Sequence, residues 1–214
     1  MTSADDIILI RYADEPPDTF LDSAIWQAAD ATEIKTYWSG EAAPASRHFT
    51  ARLLWSSEAL YTRFDMDNAE PPIVSDKPDA SAKSIGLWER DVCELFISPN
   101  NDEPYKYFEF EVAPTGEWLD LGIEVIEGER KTDWDLDSQM SAAARIDCDA
   151  IVMAIRVPFT AFGTAPKPDG LWPGNLFRCV GSGPTRGYLA WRPTMTPQPS
   201  FHVPSAFGKF RFVK

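Results

Sequence analysis

Three glutamates stand inside two apolar runs that have the pattern of β-strands. Glu94 lies in the run VCELFIS, and Glu109 and Glu111 lie in the run YFEFEVA. Successive side chains of a strand point to opposite faces, so the alternation predicts that the three carboxylates share one face of a hairpin. The opposite, apolar face would consist of Cys93, Leu95, Ile97, Phe108, Phe110 and Val112.

Carboxylates on neighbouring strands need a partner that offsets their repulsion and the cost of their burial. Like charges repel, and a buried carboxylate costs several kcal/mol unless it is paired or hydrogen-bonded. Arg90, Arg178 and Arg192 are candidate partners within the protein, and a sugar, whose hydroxyl groups donate hydrogen bonds, is a candidate ligand. The hairpin could equally lie at an edge and expose its glutamates to solvent, and the alternation leaves both interpretations open.

Short alternating runs recur along the chain and indicate an all-β protein. Examples are HFTARLLWS, ALYTRFDM, AIVMAIRVP, NLFRCVG and KFRFVK, which are bounded by Pro, Gly, Asn or Asp. We predict an antiparallel β-sandwich, jelly-roll or immunoglobulin-like, with residues 1–214 as one domain. The 18 prolines and 12 glycines predict long, Pro-rich loops. One hairpin should turn near Ser57 and Glu58, and the second should join the glutamate-bearing runs.

The composition excludes several classes of partner. With 44% hydrophobic residues and eight tryptophans the chain is too apolar for disorder. Its net charge of -13 would repel nucleic acid and an anionic membrane. The three cysteines are far apart and indicate neither a disulfide framework nor a zinc site. No run approaches the roughly 20 apolar residues of a membrane helix, so we expect a cytoplasmic protein, or an extracellular or periplasmic one if an export signal was removed.

Five separated motifs resemble the family 9 carbohydrate-binding modules and their single-domain, DOMON-like relatives. In chain order they are ARLLWSSEALYTRFDMD, LWERDVCELFISPNNDEPYKYFEFEVAPTGEWLDL, NLFRCVG, YLAWRPT and FHVPSAFGKFRF. The resemblance runs from about Asp22 to the C-terminus. It implies a β-sandwich that binds carbohydrate without cleaving it, with a role in carbohydrate catabolism like that of the xylanase-associated members.

The resemblance also implies which side chains hold the sugar. Trp88 matches the aromatic that forms one wall of the sugar slot, and Glu94 matches a carboxylate that accepts hydrogen bonds from sugar hydroxyls. Phe201 matches the opposite wall, where the xylanase-associated members have Trp. A further polar position is Arg in those members, and this chain offers Glu111 there. A slot of this acidity would favour an amino sugar, another cation-bearing ligand or calcium.

Three further residues are candidates for contacts with the ligand. Asn175 and Arg192 carry amide and guanidinium groups, which bind sugar hydroxyls. His202 directly follows the predicted wall Phe201. Calcium ions occur in some family members, and Asn100–Asp102 could supply oxygen ligands, although the same residues also suit a tight turn. No other cofactor is expected.

Three functions remain open from the sequence. The leading hypothesis is a non-catalytic domain that holds a mono- or oligosaccharide between Trp88 and Phe201. A glycoside hydrolase is the alternative, because Asp91 and the three glutamates could supply an acid and a second carboxylate about 5–10 Å apart. A haem-binding domain would need axial ligands, and Met195 and His202 are the pair of such residues in one predicted loop.

Overall fold

Strands and short 3₁₀ helices make up the regular structure of the protein. The computed structural model describes residues 6–15 and 21–214, and no helix in these ranges is long and apolar enough to cross a membrane. The described residues form thirteen strands: β1 (Ile7–Tyr12), β2 (Ala31–Ile34), β3 (Phe49–Trp55), β4 (Ala59–Asp67), β5 (Val92–Ile97), β6 (Lys106–Val112), β7 (Trp118–Ile126), β8 (Glu129–Asp133), β9 (Ser141–Ile146), β10 (Ala150–Pro158), β11 (Leu171–Val180), β12 (Gly187–Ala190) and β13 (Gly208–Val213). The 3₁₀ helices are Ala24–Ala28, Ala45–Arg47, Leu87–Glu89, Phe159–Phe162, Gly183–Thr185 and Pro204–Ala206. The prediction of an all-β protein is therefore confirmed.

The strands form one mixed sheet. Hydrogen-bonded neighbours follow the order β8-β7-β6-β5-β11-β13-β1-β3-β4-β10-β9, with β12 attached to β11 and β2 to β3. The prediction of a wholly antiparallel sheet is wrong at β1, which pairs in parallel with both β13 and β3. Parallel pairs need long connections, and β1 meets strands that are far from it along the chain. Because one path joins the strands, the predicted separation into a two-sheet sandwich is not confirmed.

The sheet curls around a core of large apolar side chains. Strand β6, near one end of the path, contacts β9 and β10 at the other end. Phe64, Phe110, Phe210 and Phe212 are fully buried between them. The Trp172 and Phe212 rings meet edge to face with centroids 4.9 Å apart, a favourable arrangement for aromatic pairs. Side chains therefore fill the inner side of the curl, so a ligand site is expected on the outer side of the sheet.

Both predicted hairpins are present. Strands β3 and β4 are joined by a tight turn in which the Ser56 amide donates a hydrogen bond to the Ala59 carbonyl. In the second hairpin Leu95 of β5 lies opposite Phe110 of β6. The prolines are not confined to loops, since Pro158 belongs to β10, so the predicted Pro-rich loops are not confirmed as a general feature.

Glycine is required where β11 passes the core. A Cβ atom at Gly174 would overlap the Phe210 ring and the backbone oxygen of Phe96. This close approach lets β11 pair with β5 over Gly174 to Cys179. The outward-facing side chains of β11 are thereby brought beside those of β5.

A second apolar cluster covers the outer face of β5, β6, β7 and β11. Its larger members are Phe96, Tyr107, Leu119, Leu121, Phe177 and Phe201. This sheet is therefore buried on both faces. The three glutamates lie on the outer face, within the second cluster.

Candidate functional site

The predicted alternation of the glutamate-bearing hairpin is confirmed. Glu94 lies directly opposite Glu111, and Phe96 lies opposite Glu109. The other face of the same strands belongs to the main core, as expected. The edge-hairpin interpretation is wrong, because β7 and β11 flank the hairpin and the three glutamates are at most 3% exposed.

A cavity of about 590 Å³ opens above this face. Its buried lining includes Glu94, Glu109 and Phe201, while Trp88 and Trp134 line it as exposed residues. The volume lies within the range of about 300–1,000 Å³ that is typical of small-ligand pockets. The pocket therefore combines buried hydrogen-bond acceptors with accessible aromatic rings.

The three carboxyl groups form one compact cluster. One ligand atom from each of Glu94, Glu109 and Glu111 lies within 4.8 Å of those of the other two. Cys179 Sγ donates to Glu94 Oε1 at 3.4 Å. Within the described ranges, Glu109 Oε2 and both oxygens of Glu111 are buried and accept no hydrogen bond from a group outside the cluster. Such unpaired buried oxygens are costly, and a cluster of them is a reason to look for a ligand.

Burial raises the pKa of all three carboxyl groups. It raises the pKa of Glu109 to about 7. The pKa of Glu94 lies well above its usual value because of burial and, next, the charge of Glu109. The pKa of Glu111 is raised by burial and by the charges of both neighbours. The cluster therefore resists full ionisation unless a positive group joins it.

The arginines that the sequence offered as partners are used elsewhere. Arg90 pairs with Glu117, and Arg192 pairs with Asp6 at 2.5 Å. Arg178 donates to the carbonyl oxygen of Arg47 at 2.8 Å. None of the three is recorded as an ion-pair partner of the carboxyl cluster in the part of the chain that the structure describes.

Trp88 is held at the pocket mouth by a short, well-connected segment. Gly86 takes a φ of +83°, which glycine tolerates, directly before the 3₁₀ helix Leu87–Glu89. Arg186 then donates to the carbonyl oxygens of Trp88 and Arg90 at 2.5 and 2.9 Å. The backbone beside the indole is thus fixed while Trp88 itself remains 36% exposed.

Trp134 lies beside Trp88 and extends the aromatic surface. The two ring centroids are 6.2 Å apart with an interplanar angle of 45°. Trp134 was not among the predicted site residues, because in the sequence it flanks a turn and suits either the core or a ligand surface. Only the order β8-β7-β6-β5 brings it to the pocket.

Phe201 and His202 form the opposite part of the lining. The Phe201 ring stacks on Phe177 at 4.0 Å and 9°, so the protein already covers one of its faces. His202 Nδ1 lies 3.0 Å from the Tyr107 hydroxyl, and Nε2 lies 3.9 Å from Glu109 Oε2. Burial lowers the pKa of His202 to about 3, so the imidazole is neutral at physiological pH.

The structure brings together four of the seven predicted site residues in the pocket lining: Trp88, Glu94, Phe201 and His202. Glu111 lies beneath the lining, within the carboxyl cluster. Asn175 is fully buried, and its side chain bonds the Leu176 amide and both backbone groups of Arg192. Asn175 and Arg192 therefore connect β11 to the segment after β12 and are not among the pocket residues.

The Asn100–Asp102 segment has the geometry of a turn. Asn100 Oδ1 accepts a hydrogen bond from the Asp102 amide at 3.0 Å. Asn101 Oδ1 accepts one from Lys209 Nζ at 2.7 Å. A cationic amine and a backbone amide already use these oxygens, so the segment does not fit a calcium ion.

A concave pocket that combines aromatic side chains with a few convergent polar groups is typical of small-ligand sites. The chain belongs to carbohydrate-binding family 9, whose model matches residues 27–212. No curated protein matches the chain.

Solved structures of low sequence identity share the fold. A putative carbohydrate-binding protein from Bacteroides uniformis is similar with a TM-score of 0.74 and 17% identity, over 96% of this chain and 98% of that chain. A family 9 module from Caldicellulosiruptor kristjanssonii in complex with cellotriose has a TM-score of 0.66 and 15% identity, over 97% and 93% of the two chains. Its glucose complex has the same TM-score and identity, over 96% and 95%.

Proposed function

We propose that the pocket binds a mono- or oligosaccharide and does not cleave it. The observation that carries the proposal is the position of buried acceptors, Glu94 and Glu109, beneath the exposed rings of Trp88 and Trp134. Sugar rings have apolar C–H faces that suit aromatic rings and hydroxyl rims that suit carboxylates. The family supports the same ligand class, and the Caldicellulosiruptor module was solved with cellotriose and with glucose.

In this proposal a terminal sugar ring lies between Trp88 and Phe201. Trp88 offers an accessible indole, and Phe201 is held in place by its stack on Phe177. Glu94 accepts hydrogen bonds from the hydroxyl rim. Trp134, beside Trp88, supports a second ring of an oligosaccharide.

Calorimetric titration with glucose, cellobiose, xylose and chitobiose tests the proposal. We expect at least one to bind with a Kd between about 1 µM and 1 mM, because a small open pocket buries few atoms. Glu94→Gln should weaken this binding, since an amide NH₂ replaces one acceptor oxygen. Glu117→Gln is the matched control, because Glu117 is also buried but bonds Arg90 and Thr115. The proposal is contradicted if no saccharide binds to the folded protein.

The proposal includes a role in carbohydrate breakdown. A binding domain of this kind would keep a hydrolase close to its polymeric substrate. Fusion of the chain to a hydrolase should raise the rate at which the hydrolase releases sugar from an insoluble polysaccharide, but not the rate from a soluble oligosaccharide. Equal rates with and without the domain would count against this role.

The hydrolase alternative receives less support from the pocket. Glycosidases place two carboxyl groups on either side of the bond, about 5–10 Å apart. Glu94, Glu109 and Glu111 instead form one cluster on the same side of the pocket, and Glu111 lies beneath the lining. Release of nitrophenol from chromogenic glycosides, lost in Glu94→Gln, would favour the alternative.

A further inference from the structure

The carboxyl cluster beneath the pocket has no close cationic partner. Arg130 and Arg186 also line the pocket and their charges lower the pKa of Glu109 and Glu94, but burial outweighs this effect. In the described ranges, no lysine or arginine is recorded in an ion pair with Glu94, Glu109 or Glu111, and His202 approaches Glu109 only to 3.9 Å. Glu111 is 0% exposed, and within the described ranges neither of its oxygens accepts a hydrogen bond from a group outside the cluster. Removal of a carboxylate from water without a partner is strongly unfavourable. The Glu111 carboxyl group lies against the other two carboxyl groups, and this juxtaposition marks a position for a positively charged ligand.

The spacing of the cluster suits one metal ion. Oxygens of the three glutamates lie within 4.8 Å of one another. Calcium binds oxygens at about 2.3–2.6 Å, so two oxygens on opposite sides of one ion are about 4.8 Å apart. A single ion can thus contact an oxygen from each side chain. Carboxylate oxygens are hard ligands, which favour Ca²⁺ over softer metals such as Cu⁺ or Zn²⁺.

The pocket gives an ion access to the cluster. Glu94 and Glu109 line the pocket, whereas Glu111 lies behind them. An ion that enters from the pocket would keep its remaining coordination positions on the open side. The net charge of -13 favours the approach of a cation.

We propose that Glu94, Glu109 and Glu111 form a calcium site in the floor of the pocket. The ion offsets two negative charges of the cluster and supplies a partner for one oxygen of Glu111. The rival explanation is that Glu109 and Glu111 share a proton and need no metal. Both explanations predict a folded protein, so the test must detect the ion itself.

Binding of Ca²⁺ to chelator-treated protein is the direct test. We expect calorimetry at pH 7.5 to show one ion per chain, with release of protons from the cluster. Terbium, a luminescent substitute for calcium, should be excited through Trp88 and Trp134 in the same pocket and displaced by Ca²⁺. If the wild-type protein binds no calcium, the proposal is overturned and the shared proton is favoured.

Two variants assign the ion to the cluster. Glu111→Gln keeps the shape of the side chain and removes one anionic ligand, so calcium affinity should fall at least about tenfold. Glu117→Gln, a buried glutamate outside the cluster, should leave it unchanged. Equal calcium affinity in Glu111→Gln and wild type would overturn the assignment. Thermal unfolding provides a second readout, because calcium should raise the Tm of the wild type and raise it less in Glu109→Gln.

This test is independent of the proposed function. Saccharide titrations in chelator report on carbohydrate binding, and calcium titrations without saccharide report on the ion. A protein that binds sugar but no calcium would contradict only the metal site, and one that binds calcium but no sugar would contradict only the carbohydrate proposal.

Discussion

Replacement of Trp88 by alanine tests whether the exposed tryptophans contact the ligand. Trp88 is 36% exposed, and with roughly 250 Å² for a residue of this size, about 90 Å² is available for contact. At about 25 cal/mol per Å², complete cover would contribute about 2.2 kcal/mol, which is a factor of about 40 in Kd. A sugar ring covers one face of an indole, and half of this energy corresponds to a factor of about 6. We therefore expect Trp88→Ala to raise the saccharide Kd by about 6- to 40-fold.

Isothermal titration with the saccharide that binds the wild type best is the assay. Tyr105→Ala is the control, because Tyr105 is 53% exposed and is not part of the pocket lining. Circular dichroism should show that both variants keep the native fold. An unchanged Kd in folded Trp88→Ala, or an equal loss in Tyr105→Ala, would refute the reasoning. Trp134→Ala should act in the same direction, and the double variant should deviate from additivity because the two rings are 6.2 Å apart.

Three further predictions concern stability and the extent of the site. The Arg47 guanidinium lowers the pKa of Glu70 below its usual value of 4.5, so the ion pair stabilises the folded state at pH values above 4.5. In urea unfolding, the wild type should therefore have a higher free energy of unfolding than Glu70→Gln, and this difference should disappear as the pH falls through the folded-state pKa. Phe110→Ala should lower the free energy of unfolding by about 3–5 kcal/mol in the same assay, because Phe110 is fully buried; a smaller loss would contradict its central position in the core. Asn175→Ala should lower the free energy of unfolding by about 1–3 kcal/mol and leave the saccharide Kd unchanged. A higher saccharide Kd in calorimetry would show that Asn175 contributes to ligand binding.

The local features of the site could be predicted from the sequence. Two-residue alternation alone placed Glu94, Glu109 and Glu111 on one face, because the geometry of a strand fixes which side chains are neighbours. Trp88 was predicted from the resemblance to family 9, and its segment directly precedes β5 in the sequence, so its proximity to Glu94 also depends on local geometry. These predictions required no knowledge of the order of the strands.

The features that depend on strand order could not be predicted in this way. Trp134 reaches the pocket because β8, which it follows, is the third strand outward from β5. Strand β1 lies between β13 and β3, which are both distant from it along the chain, and pairs with each of them in parallel. Asn175 and Arg192 have the chemical groups of a sugar site, but their hydrogen bonds and ion pair hold the backbone together. Residue type indicates what a side chain can bind, and only the fold decides whether that capacity is already used.

The position of Glu111 argues for a role that the fold itself does not need. It lies directly opposite Glu94 on the neighbouring strand, and two like charges at such a position destabilise the pair. Leu95 and Phe110 occupy the inner face of the same two strands, so these strands readily carry apolar side chains. An apolar residue at position 111 would therefore serve packing better than a glutamate that, within the described ranges, accepts no hydrogen bond from outside the cluster. Because proteins tolerate such cost chiefly where a site requires it, we attribute the presence of Glu111 to the cation that we propose in the cluster.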